Sequence, residues 1–377
     1  MKRFLCFLLP FCFLLSGCAG RNVEEELLVI VLAIDRTEQG DVTVAVKVPA
    51  NAAAAGEETG ASGSHTGYMQ LEATGHSFSD AVSMLNATTP RKLNFSQVRE
   101  TVIGETAAKG RDFSLLLTRI DSLPRFRCSS AVIICRGSAL DFSEKQKPIV
   151  GMRLSRYAEN TLANYAGKGF TPATDLCAGR RDLGSGVQDP LFILGAVNDF
   201  SGAREPANDN SLFAGAGELP RKSLEAVEMF GAAATDGVSV CGFLTGYEMA
   251  LLHLIGGHVE ALAVQADGVP MRITASRPAA LKVDISCDPV FLGIELECEA
   301  HYPPGASVDE KAVMALLEND IIALIARLQA LRCDAAGFGQ IAVRRFLTVG
   351  EWEAFHWRER YLAARTQVLV TVRLRES

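Results

Sequence analysis

The sequence predicts an α+β protein of more than one domain, with mixed or antiparallel sheets packed against helices. Three observations carry that expectation. Strand-like and helix-periodic apolar runs cluster along the chain without a repeating strand–helix–strand rhythm. The stretch Asn198 to Pro220 loses all pattern and separates a front half from a back half. A length of 377 residues, with 48% hydrophobic and 21% charged content, suffices for two or three domains, each with its own core. The expected organisation is a leader over 1–17, a first domain over 18–197, a linker or large loop over 198–220 and a second region over 221–377. Within that region, 221–276 and 277–377 are candidate subdomains.

The leader comes first. Lys2 and Arg3 precede an apolar run from Phe4 to Leu15, and Leu15-Ser16-Gly17 sets small residues before Cys18. As a helix the run would reach about 18 Å at roughly 1.5 Å per residue. That is well short of the roughly 30 Å hydrocarbon core of a bilayer. The order Leu-Ser-Gly-Cys resembles the bacterial lipobox, in which the cysteine thiol takes a diacylglyceryl group and becomes the new N-terminus. Two acyl chains make a stable anchor where one gives only reversible binding. Loss of Lys2 and Arg3 moves the formal charge from −7 to −9, so the mature chain carries no basic footprint for nucleic acid or anionic lipid.

The elements follow in order. ELLVIVLAID, a polar turn and VTVAVKV read as two strands, and Asn51 to Gly67, rich in Ala, Gly and Ser, reads as a flexible loop. Ser77 to Asp80 resembles a capping box opening a helix over Phe78, Ala81, Val82 and Leu85 that ends near Pro90. RETVIG and AVIICRG are strand candidates on either side of a helix over Arg111 to Leu123. A polar helical stretch runs from Met152 to Gly186, and DPLFILGAV offers another strand. Beyond the loop, LEAVEMFGAAA and VSVCGFL suggest a hairpin, and Thr245 to Glu248 a capping box for a helix closed by Gly256-Gly257. Leu281 to Cys287 and Ile294 to Tyr302 alternate as half-buried strands. Ser307 to Glu310 is a third capping-box pattern, opening the longest helix, and VLVTVRL is a closing strand.

Catalytic and metal-binding patterns are weak. GFGQIA, Gly337 to Ala342, matches a dinucleotide fingerprint in letters, but a helix precedes it where a strand is required. His253 and His258 would point about 140° apart on a helix at 100° per residue, so no metal site is expected there. No catalytic residues are expected, and the carboxylates Glu248 and Glu310 are helix caps before they are acids or bases. Ten cysteines leave seven after Cys6, Cys12 and Cys18, and an odd number implies a free thiol. Cys287 and Cys298 fall in neighbouring strands, where a bridge and two small buried side chains both fit.

The ordered strings resemble the Ger(x)C family of spore germination lipoproteins, the C-type subunit of nutrient germinant receptors. VLAIDRTEQGDVTVAVKV resembles its opening hairpin. RKLNFSQVRETVIGETAAKG, with Arg91, Phe95, Ser96, Gly104, Glu105 and Gly110, and then LPRFRCSSAVIICRGSA resemble its next signatures. GAAATDGVSVCGFLTGYEMALLHLIGG is similar to its G-x-L-T-G-x-E segment. CDAAGFGQIAVRRF, with Trp352 and Trp357 after it, resembles its C-terminal pattern, and TQVLVTVRL its closing strand. Ala19-Gly20 departs from the Trp-Asp that commonly follows the family's cysteine.

The resemblance implies a multi-domain α+β lipoprotein on the outer leaflet of the inner spore membrane. It implies an A-type and a transporter-like B-type subunit as partners. No enzyme activity, no nucleic acid and no cofactor beyond the lipid on Cys18 are implied. Asp334, Gly337, Phe338, Gly339, Trp352 and Trp357 carry its pattern, with turn formation and packing or partner contact as their expected roles. A lipid-anchored solute-binding protein of the cell or spore envelope is the rival expectation, and a cell-wall enzyme the third.

Overall fold

The computed structural model describes residues 25–49, 68–148, 154–198, 211–221, 225–258, 260–275 and 277–377. The leader, Cys18, the loop Asn51 to Gly67 and residues 199–210 of the expected linker lie outside them.

In chain order the front half contains β1 (Glu26–Leu28), β2 (Val31–Arg36), β3 (Val42–Pro49), β4 (Tyr68–Gly75), α1 (Phe78–Thr88), β5 (Lys92–Asn94) and β6 (Glu100–Gly104). There follow α2 (Glu105–Ala108), α3 (Phe113–Asp121), β7 (Ala131–Arg136), α4 (Ala139–Lys145), α5 (Leu154–Gly167), α6 (Leu176–Leu183) and β8 (Leu191–Val197). The predicted helical stretch from Met152 to Gly186 is thus two helices, parted by the left-handed Gly169.

An eight-stranded sheet runs β10-β9-β8-β7-β6-β2-β3-β4, where β9 is Val227–Thr235 and β10 Val240–Leu244. Its middle, β8-β7-β6-β2, is parallel, and both flanks are antiparallel. Alternation along β2 explains the two covered faces: Leu32 and Ile34 pack with Leu85 of α1, Leu117 of α3 and Leu176 of α6. Val31 and Ala33 pack with Phe142 of α4 and Tyr157 of α5 on the other side.

The back half contributes α7 (Gly246–Gly256), β11 (Leu262–Ala266), β12 (Val269–Thr274), β13 (Ala280–Asp284), β14 (Phe291–Tyr302) and α8 (Glu310–Ala330). It closes with α9 (Phe338–Ala342), α10 (Val349–Phe355), α11 (Trp357–Ala363) and β15 (Arg365–Glu376). The second sheet runs β11-β12-β14-β13, and β15 pairs in parallel with β14 over its full twelve residues. Val313, Leu317, Ile321, Leu324, Ile325 and Leu328 of α8 are the stripe buried against it. The backbone N–H of Val370 donates to Glu318 at 3.0 Å, so the helix also satisfies part of the outer edge of β15. The molecule is α+β, as the sequence predicts.

Two expectations are corrected, and an alternative left open by the sequence is decided. The sheet of the first domain does not end before the 198–220 stretch: β9 and β10, from beyond it, form its flank. All nine residues of β9 are buried, and such an apolar ribbon needs a sheet partner, which β8 supplies. Leu191, Ala232, Ala234 and Leu244 then share one core with the second sheet. The longest helix starts at Glu310 with Asp309 as its cap, its side chain accepting from Lys311 N–H, rather than with Ser307. A nearer acceptor displaces the serine. Lastly, Cys287 and Cys298 are free thiols, one exposed and one buried, while Cys128 and Cys177 form a disulfide with 5.3 Å between Cα atoms.

Candidate functional site

The residues singled out near the C-terminus converge on one buried cluster. Helix α8 ends in a turn where Cys333 N–H reaches back to Leu328 O at 2.9 Å, which swings Asp334 into the interior. Gly337 has φ +82°, a left-handed conformation open to glycine, and it turns the backbone N–H groups that open α9 toward Asp334. The carboxylate accepts from Gly337 N–H at 3.1 Å, Phe338 N–H at 3.0 Å, Gly339 N–H at 2.7 Å and the Trp357 indole N–H at 3.1 Å. Burial lifts its pKa from 3.8 to about 6 against the pull of those donors.

The first sheet is drawn in from the other side. Asp189, just before β8, accepts from Asp334 N–H at 2.8 Å, and its own N–H donates to Asp334 O at 3.3 Å. Arg358 grips Asp189 with both guanidinium nitrogens, at 2.7 and 3.2 Å, and reaches Arg332 O at 2.7 Å. Gly339 lies so near this segment that a Cβ there would come within 2.1 Å of Val187 O and 2.7 Å of the Trp357 indole nitrogen. Trp352 and Trp357 stack at 5.9 Å between ring centroids, and Phe338 sits fully buried beside Tyr361.

Here the chemistry is that of a staple. Every carboxylate oxygen of Asp189 and Asp334 already accepts a hydrogen bond. The remaining free space is about 10 Å³, no more than one water molecule. Asp189 and Arg358 escaped the sequence reading. Asp189 is 145 residues from its partner Asp334, and its only local signal is an acidic residue before Pro190 at the mouth of an apolar strand.

A second buried polar group was also missed. On the α4 face of the first sheet, Lys47 is 1% exposed and donates to the carbonyls of Ser143 and of Gln146, the latter at 2.7 Å. It lies 4.5 Å from the Tyr68 ring centroid. Gln146 in turn donates to the fully buried Glu100 at 2.8 Å. Burial raises Glu100 to about 7 and lowers Lys47 to about 8. Lys47 thereby closes the C-terminal end of α4, whose last carbonyls favour a cation.

Among the described residues Asp121 and the sulfurs of Cys128 and Cys177 are the only group close enough together to suggest metal ligation, and those sulfurs are joined in the disulfide rather than free as thiolates. No helix among the described residues is long and apolar enough to cross a membrane.

Comparison with known proteins matches both halves. Residues 20–191 fit the family described as spore germination protein N-terminal domain, and residues 231–377 fit spore germination B3/GerAC like, C-terminal. Together these regions span most of the chain, which belongs to the Ger(x)C family of spore germination proteins. A solved structure described as the crystal structure of the GerBC protein is similar over 91% of this chain and 96% of that one, at 15% identity and a TM-score of 0.48. No curated protein matches the chain.

Proposed function

We propose that the protein is a lipid-anchored subunit of a nutrient germinant receptor, held on the outer leaflet of the inner spore membrane by a diacylglyceryl group on Cys18. It works by protein–protein contact beside an A-type and a B-type subunit, without catalysis and with no cofactor other than its lipid. The observation that carries this reading is the lipobox order Leu15-Ser16-Gly17-Cys18 directly ahead of the family's N-terminal region, which begins at residue 20. The disulfide between Cys128 and Cys177 supports an extracytoplasmic location, since such bonds persist in oxidising compartments. Asp334, Gly337, Phe338, Gly339, Trp352 and Trp357 serve the contact surface from behind, by fixing how the C-terminal region sits on the first sheet.

The test is a Cys18→Ala variant expressed from its own locus. Fractionation should find the protein released from spore membranes, mass spectrometry should find no acyl group, and germination in response to at least one nutrient should slow. Membrane retention and acylation unaltered by the substitution would overturn the anchor. Normal germination in a deletion strain, for every nutrient tried, would overturn the receptor role.

A further inference from the structure

Away from the staple, an open cleft of about 1400 Å³ lies between the β11–β12 hairpin and helices α7 and α8. Phe213, Tyr247, Met271, Leu316 and Asp320 line it, with Tyr302 at the end of β14. Asp320 is half-buried there, and its carboxylate accepts a 2.5 Å hydrogen bond from the Tyr247 hydroxyl. No basic side chain among the described residues pairs with it. Burial pushes its pKa upward, as expected for a carboxylate partly removed from water without a countercharge.

The rings of Phe213 and Tyr247 lie 4.6 Å apart beside this carboxylate, and Phe213 is 42% exposed on the cleft wall. Aromatic faces next to a carboxylate in a partly dry site attract an organic cation. A divalent metal ion would require several oxygen ligands, and one carboxylate does not supply them. At the other side of the cleft Arg272 and His301 are direct cross-strand neighbours on β12 and β14. The Arg272 guanidinium repels a positive charge there, so a bound cation is directed to Asp320.

We propose that this cleft binds a primary amine carried on an apolar or aromatic body, the ammonium on Asp320 and the body against Phe213, Tyr247 and Leu316. The amine is either a free small molecule or the lysine side chain of a protein segment, and the site does not depend on the receptor role proposed above.

Isothermal titration of the purified full chain separates these. Phenethylamine is the free-amine probe, 2-phenylethanol its neutral counterpart, and the capped peptide acetyl-Phe-Lys-amide the lysine probe. Saturable one-to-one binding of at least one amine is expected, with the alcohol weaker by about tenfold or more. Asp320→Asn should weaken amine binding by a similar factor, and Phe213→Ala, at an exposed position, should weaken it severalfold while leaving thermal unfolding unchanged. Binding of the peptide alone identifies a lysine side chain as the occupant and upholds the site. Equal binding of amine and alcohol, amine affinity unmoved by both substitutions, or no saturable binding of either amine up to about 10 mM overturns it.

Discussion

Replacing Gly339 by alanine tests the staple directly. The added Cβ would stand 2.1 Å from Val187 O, a backbone atom that cannot rotate aside. Relief requires the 187–189 segment and α9 to separate by about 1 Å, because carbon–oxygen contacts prefer more than 3 Å. That separation breaks the three bonds that cross the gap, Asp334 N–H to Asp189, Asp189 N–H to Asp334 O and Gln188 Nε2 to Ala335 O. At about 1 kcal/mol for each the loss is about 3 kcal/mol. Alanine returns about 1 kcal/mol through its better helix propensity, leaving a net destabilisation of about 2 kcal/mol. For one cooperative unit of about 350 residues, at about 2.1 cal/mol/K of unfolding entropy per residue, the shift in Tm is about 3 °C.

Trp352 and Trp357 are the chain's two tryptophans and both lie in the staple, so their emission during denaturant unfolding reports the site itself. Gly350→Ala is the control: a Cβ there meets nothing within 4 Å, and the midpoint should stay level or rise by up to about 1 kcal/mol. A Gly339→Ala midpoint within about 0.5 kcal/mol of the wild type would refute the steric reasoning.

Two further outcomes follow from the first domain. Removing the disulfide with Cys128→Ser and Cys177→Ser frees a loop of 49 residues and should cost about 4 kcal/mol in guanidinium unfolding; a wild-type midpoint indifferent to reductant would contradict the bond. Stability should also depend on pH through Glu100, whose folded carboxyl keeps its proton up to about 7 against an ordinary 4.5. The folded chain then binds more protons than the unfolded one across that window, so stability falls by about 3 kcal/mol as pH rises through it. Lys47, lowered to about 8, has the opposite effect above that value: the unfolded chain binds more protons, and stability rises with pH toward 10.5. Glu100→Gln should flatten the acidic limb in melts from pH 4.5 to 7, and an undiminished slope would show that another group carries it.

Much of this was legible because local pattern and burial agree. The spacing of Phe113, Leu116, Leu117 and Ile120 gives α3, and the Thr245–Glu248 box caps α7 with both of its hydrogen bonds. VTVAVKV does form β3, but both of its faces are covered and even Lys47 is buried, where alternation implies one wet face. What failed was pairing at long range. Nothing in VEMFGAAAT states that its partner is LFILGAV on the far side of a patternless stretch, because an apolar run specifies burial and not a neighbour. The disulfide was hidden for the same reason: Cys128 and Cys177 are 49 residues apart, and several pairings of seven thiols were open. At the staple, Asp334, the glycines and the tryptophans were marked by their resemblance to a family pattern. Asp189 and Arg358, which complete it, carry no such mark. The capping box formed by Thr348 and Glu351 before Trp352 was present in the letters and overlooked.

The β9–β10 hairpin also decides where the polypeptide is divisible. A fragment ending at the patternless stretch would leave β8 as a raw border, ready to recruit a foreign strand. Its complement would trail a greasy ribbon with nothing to lie against. Severing after Leu244 instead keeps the hairpin with its own sheet, although the shared core on the α7 side would still be laid open. The two recognisable signatures therefore describe one cooperative object, whose halves are better co-produced than handled alone.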